Sequence, residues 1–246
     1  MAFTTINKST DYFNTLTYTG DDGTNRSITG VGFQPDFIWF KDRSNAFNHY
    51  LFDIIRDGQT YYISSNNNAA EATDTTSLKS MDSDGFTVGA SAGVNGNNNN
   101  YVAWNWKANG TGAANTAGSI NSTVSVNTTS GFSIVKYTGT GSAATVGHGL
   151  GVKPDMIFSK PYSTTGDWNI YHDSFSSQQR IKLNSTGAVS TNSGIFSSLP
   201  TSTLVNIGTS GDINANGTSH LFYCFNSVQG YSKFGSYTGN GNADGS

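Results

Sequence analysis

In the run from Tyr101 to Trp106, Val102, Trp104 and Trp106 alternate with Tyr101, Ala103 and Asn105. A period of two marks a strand with one buried side. Leu221, Tyr223 and Phe225 alternate with Phe222 and Cys224 in the same way, so the tryptophans and their counterparts are expected in a core. The segments Asp36–Lys41 and Asp155–Lys160 are apolar on both faces in their middles and follow Pro35 and Pro154. They read as central strands with the proline just outside the ladder. Further strands are predicted at Tyr61–Ser64, Phe86–Gly89, Phe132–Tyr137, Ile181–Asn184 and Leu204–Ile207. No stretch combines a cap with an apolar stripe over three helical turns.

The pattern occurs twice. Tyr18–Ser44 returns as Tyr137–Ser163, 119 positions on, and the spacing holds at Pro35 and Pro154, at Lys41 and Lys160, and at Val102 and Leu221. A one-residue slip in a loop sets Asp53 against Asp173. We read this as a duplication. The expected fold class is all-β: two tandem homologous β-sandwich domains of jelly-roll or lectin-like type. The expected boundaries are 1–112 for the first repeat, 113–130 for a polar linker or hairpin, 131–233 for the second repeat and 234–246 for the start of an incomplete third. Phe234–Gly241 aligns with Ile134–Gly141, so Phe234–Tyr237 is expected to form a ladder with its own domain, with addition to an exposed edge of a neighbouring copy or a truncated third unit as the alternatives.

Composition narrows the function classes. Charged residues are 12% of the chain, roughly half the usual share near 25%, which leaves a neutral, hydrogen-bonding surface. An aromatic content of 13% and an apolar content of 35% supply a core that a disordered chain lacks. A net charge of -3 offers no field to collect phosphates, so nucleic acid is not an expected partner. The single cysteine, Cys224, excludes an internal disulfide and a thiolate metal cluster. No apolar run is long enough to span a membrane, and the N-terminus lacks the features of a signal peptide, so no membrane insertion is expected.

Candidate chemistry is sparse. Asp82-Ser83-Asp84-Gly85 resembles part of a calcium loop but lacks the remaining acidic ligands, and an Asx-type turn explains it better. His172 and Asp173 invite an acid/base reading with Cys224 or a nearby serine as nucleophile, but they are neighbours that point to opposite sides of a strand. No pair of carboxylates suggests itself for glycosidase work. The chain therefore reads as a non-enzyme with no catalytic residue, cofactor or metal. The better surface candidates are the amide-rich tips, Asn97, Asn98, Asn99 and Asn100 in the first repeat and Asn214 and Asn216 in the second. They suit contact with sugar hydroxyls or a neutral protein, and serve equally as plain hairpin ends. Tyr50, Tyr61, Tyr162 and Tyr171 are candidate stacking surfaces.

The stretches Tyr18–Ser44, Asp82–Gly89, Tyr101–Gly110, Thr145–Lys160 and Gly230–Gly241 together resemble a repeated module of tail-fibre and other virion-surface proteins of tailed bacteriophages, especially marine ones. The resemblance covers about Tyr18 to Gly241 and carries no catalytic residues. It implies a structural protein on the virion surface, assembled in the host cytoplasm and released extracellularly. The implied partners are other virion structural proteins, further copies of the chain (a trimer by analogy) and a host-surface glycan. A capsid decoration protein and a carbohydrate-binding module are the alternatives.

Overall fold

The computed structural model describes residues 4–243. The first unit contains β1 (Phe13–Thr19), β2 (Arg26–Thr29), β3 (Phe37–Asp42), β4 (Tyr50–Asp53), β5 (Tyr61–Tyr62), β6 (Ala72–Thr73), β7 (Leu78–Asp82), β8 (Gly85–Val88), a helical turn α1 (Ala92–Asn95) and β9 (Asn100–Trp106). The strands β10 (Ala113–Asn115) and β11 (Ser122–Asn127) follow. The second unit contains β12 (Phe132–Thr138), β13 (Ala144–Gly147), β14 (Met156–Pro161), β15 (Asn169–His172), β16 (Gln179–Lys182), β17 (Ser190–Thr191), β18 (Leu204–Ile207), α2 (Gly211–Asn214) and β19 (Ser219–Phe225). The chain is all-β apart from short helical turns, and its named ladders are antiparallel. The expected strand at 181–184 begins and ends two residues earlier, at Gln179–Lys182.

The sheet β1-β9-β3-β4 has its counterpart in β12-β19-β14-β15 inside an eight-stranded sheet. Phe13 opposes Trp106 and Phe37 opposes Asp53, as Phe132 opposes Phe225 and Met156 opposes His172. Each member lies 119 positions from its counterpart. Asp53 therefore corresponds to His172, not to Asp173 as the aligned sequence suggested. The slip lies instead at β2 and β13, where Arg26 opposes Val88 as Ala144 opposes Ile207. A loop insertion is cheap there because both strands are short.

Three cores separate four layers. Ile38, Phe40, Phe52, Phe86 and Ala103 fill the space between the first four-stranded sheet and β2-β8-β7. Val135, Ile157, Val205, Phe222 and Cys224 do the same between the eight-stranded sheet and β13-β18. The third core joins the units: Phe37, Leu51, Ile55 and Ile63 meet Phe132, Ile134, Trp168, Leu221 and Tyr223. This corrects the expected role of the aromatic face. Alternation along β3 sends Ile38 and Phe40 inward, while Phe37 and Trp39 turn toward the other unit. The face bearing Trp106 and Phe225 therefore builds the seam, and the opposite face, with Ala103 and Cys224, fills the sandwiches.

Residues 113–130, read as a linker or hairpin, contain the β10–β11 pair, with Ala113 opposite Val124. β11 extends the second sheet by pairing with β12, Ser122 opposite Tyr137. The expected ladder at Phe234–Tyr237 is absent: these residues are not in a strand. Phe234 instead packs its ring 5.7 Å from Phe225, while Tyr237 is 95% exposed. Burial of one apolar ring anchors the segment in place of a ladder. The last residues of the expected third repeat, 244–246, lie outside the described residues.

Candidate functional site

The seam is held by aromatic stacking and a buried polar cluster. Phe37 stacks on Tyr223 with ring centroids 4.2 Å apart. The Tyr223 hydroxyl donates to Asp53 Oδ2 at 2.7 Å, and Arg56 Nε donates to the same oxygen at 2.6 Å. Arg56 also donates to Glu71 Oε2 and to the Leu51 carbonyl. Burial pushes the Tyr223 hydroxyl well above its ordinary value, and the Asp53 charge adds to this, so the phenol stays protonated and donating. A buried charge without such partners would cost several kcal/mol, on the order of 3–5 when one partner of a pair is removed.

Beside the cluster the two sheets part and leave a cleft of about 540 Å³, within the range of small-ligand sites, roughly 300–1,000 Å³. Its walls come from the same three positions of each unit: Phe13, Trp39 and Trp106 face Phe132, Phe158 and Phe225. Tyr231, Lys233 and Phe234 close one side, and Ser130, Asn226 and Ser232 add polar groups. The Trp39 indole is half-buried, and its N–H donates to His49 Nδ1 at 2.7 Å, which fixes the plane of the ring. Burial, assisted by the charge of Lys41, lowers the pKa of His49 and favours the neutral imidazole that this bond requires. The arrangement can hold a flat or ring-shaped ligand between aromatic faces with hydroxyl and amide contacts at the rim. Sequence reading did not single out Phe13, Trp39 or Phe158. The available signal was aromatic identity at both members of each aligned pair.

The nominated amides do not gather into a site. Asn97 and Asn98 are exposed on one turn, with Asn98 at φ 58°, Asn99 is half-buried, and Asn100 is exposed at the start of β9. Asn99 donates toward Tyr101 Oη at 3.3 Å, and Asn100 Oδ1 accepts from Thr19 Oγ1. Asn216 is exposed at the equivalent turn, but Asn214 is fully buried, which corrects its reading as a tip. It sits in α2, accepts from Thr140 N and donates to the carbonyls of Ser142 and Gly208, because a buried amide must satisfy both its ends. Among the tyrosines, Tyr162 and Tyr171 are buried, Tyr50 stacks on Tyr62 at 4.2 Å, and Tyr61 is exposed.

The acid/base candidates are also apart. His172 Nδ1 lies 2.8 Å from Ser174 Oγ, whereas the Asp173 carboxylate is paired with Lys153. Cys224 is buried and its thiol is pushed up to about 12 by desolvation, which suppresses the thiolate. Asp84 accepts from the amides of Gly30 and Gly32, and Asp82 from Thr87 Oγ1, so the acidic turn clips backbone and strand. Among the described residues, no three His, Cys, Asp or Glu side chains form a metal-binding group.

A family model described as Domain of unknown function (DUF7483) matches residues 8–246. No curated protein and no solved structure matches the chain.

Proposed function

This chain belongs to the DUF7483 family, and we propose that it is a non-enzymatic structural protein of a tailed-phage virion surface, a tail-fibre or tail component that contributes to host attachment. The observation that carries the reading is the seam. Two sandwiches share an apolar core across facing sheets, and the buried Asp53, Arg56 and Tyr223 join them. A laminate of this kind is stiff, with buried Asp53, Arg56 and Tyr223 engaged in joining its layers. The equivalent ladder registers support an origin of both units by duplication. Antibodies raised against the purified protein should label the tails of phage particles that encode it. Label confined to the capsid would favour a decoration protein, and the absence of the chain from purified particles would refute the virion reading.

The aromatic cleft favours a second role, carbohydrate binding, because half-buried Trp39 and Phe158 lie beside hydroxyl and amide groups. Neutral oligosaccharides should change tryptophan fluorescence, and Trp39→Ala should weaken binding by roughly two- to tenfold, in line with about 0.5–1.5 kcal/mol for a lost aromatic contact. Binding that persists unchanged in the variant would place the sugar elsewhere.

A further inference from the structure

The β5–β6 and β16–β17 hairpins share one register, shifted by 118 positions. Tyr61 opposes Thr73 as Gln179 opposes Thr191, and Tyr62 opposes Ala72 as Arg180 opposes Ser190. Their tips, 65–71 and 183–189, correspond residue for residue. One asparagine fastens each tip to its own unit in the same way. His49 N donates to Asn66 Oδ1 and Asn66 Nδ2 to Asn48 Oδ1. Likewise, Trp168 N donates to Asn184 Oδ1 and Asn184 Nδ2 to Asp167 Oδ1. Both prongs are thus fastened in an equivalent manner.

They differ in what they touch. The first prong is docked on the second unit. The Ser64 carbonyl accepts from Trp168 Nε1 at 2.8 Å, and the Asn68 carbonyl accepts from Gly166 N at 2.9 Å and Lys160 Nζ at 3.2 Å. Glu71 N donates to the Tyr162 carbonyl at 2.8 Å. The second prong instead exposes Leu183 by 39% and Val189 by 43%.

The receiving surface, Lys160–Trp168, also has a counterpart, Lys41–His49, where Phe47 is 40% exposed. The two lysines report the difference. Lys160 Nζ donates to the carbonyls of Pro161, Gly166 and the docked Asn68. Lys41 Nζ keeps the first two, as Asp42 and Phe47, and turns its third bond to Asn45 of its own loop. A docked second prong would bring the Thr186 carbonyl to that third place.

We propose that the β16–β17 prong of one chain docks on the Lys41–His49 loop of a second copy, repeating between molecules the contact that the first unit makes with the second. Docking covers Leu183, Val189 and Phe47, which are otherwise apolar groups in water. It also supplies backbone bonds along the prong. The join is heterologous: each copy retains one free prong and one free loop, so assembly grows into a filament or closes into a ring. The inference rests on the structural-protein reading only in supposing that copies meet. Failure of self-association would leave the labelling test of that reading unaffected.

Sedimentation of the full chain over a concentration series tests the proposal. The weight-average mass should rise above the 26.1 kDa of one chain. Val189→Asp and Phe47→Asp should each abolish the rise, with near-ultraviolet circular dichroism confirming that both fold. Mixed together they should form a one-to-one dimer, because the intact prong of F47D meets the intact loop of V189D. If either variant fails to fold, Thr186→Cys and Phe47→Cys chains, whose substituted residues take the places of the bonded Asn68 and Gly166, should cross-link to each other under mild oxidation. A wild type monomeric at every concentration, association untouched by either substitution, or no dimer and no cross-link on mixing would overturn the proposal.

Discussion

At the scale of single residues, the positions shared by both units hold backbone in place. Asp36 accepts from Ala108 N and Gly110 N, and its counterpart Asp155 accepts from Ser227 N, so each fastens the chain leaving its last strand. Asn95, like Asn214, sits on a helical turn and clamps the loop after the opening strand, through Asp21 and the Gly23 carbonyl. His220 stands where the first unit has Tyr101, whose hydroxyl accepts from Gly96 N and donates to the Ala92 carbonyl. Burial, against the pull of the Ala215 carbonyl and with help from the Lys160 charge, pushes His220 down to about 4. Burial also lowers His148. The unfolded chain takes up protons near pH 6.5, where the folded His220 remains neutral. The stability it contributes is therefore present above pH 6.5 and falls as pH drops toward 4, at up to roughly 1.4 kcal/mol per pH unit, and His148 adds in the same direction. Melting temperature measured from pH 8 to pH 4 should show this fall, and His220→Tyr should reduce its slope. A flat profile in the wild type would mean that the imidazoles charge without penalty.

At the scale of elements, β1 and β12 occupy equivalent places but meet different neighbours. β12 lies between β11 and β19, whereas β1 is an edge that pairs with β9 alone. Tyr12 and Gly20 bond toward the β9 side, so alternation turns the backbone groups of Phe13, Thr15, Thr17 and Thr19 outward. Two of these groups are capped by side chains: Thr15 N donates to Asn14 Oδ1, and the Thr19 carbonyl accepts from Arg26 Nη1. The second unit, whose edge is covered, has Ser133 and Ala144 at the corresponding places. Such capping blunts an edge that would otherwise recruit a strand. The double substitution Asn14→Ala and Arg26→Ala should speed aggregation on mild heating, followed by light scattering, while the equivalent change Ser133→Ala should not. Equal aggregation rates would show that the caps do not protect the edge.

At the scale of the whole molecule, the third core makes the two sandwiches one cooperative body. Phe37 touches Trp106 in its own unit and Phe132 and Tyr223 in the other. Phe37→Ala should cost about 3–5 kcal/mol and, by loosening the seam, should split a single calorimetric transition into two. A single transition in both proteins, displaced by less than the uncertainty of the midpoint, would show that the units are coupled through other contacts.

The linear pattern of residues already carried the β character, the strands around Trp104 and Tyr223, and the spacing of 119 positions, because period-two patterning and proline placement act locally. It could not say which face of a two-sided apolar strand looks inward, since alternation is symmetric between faces. The partner of each face is chosen only when layers stack, and so the tertiary structure sent Trp39 and Trp106 to the seam and the cleft. Asn214 was misread for a related reason: polarity predicts exposure until a fold supplies Thr140, Ser142 and Gly208 to satisfy the amide. Asp53 and Arg56 are three residues apart, but Tyr223 lies 170 positions from Asp53 and no local pattern links it to them. Only the stacking of two sheets brings the Tyr223 hydroxyl to this buried pair, where desolvation requires that it find a partner.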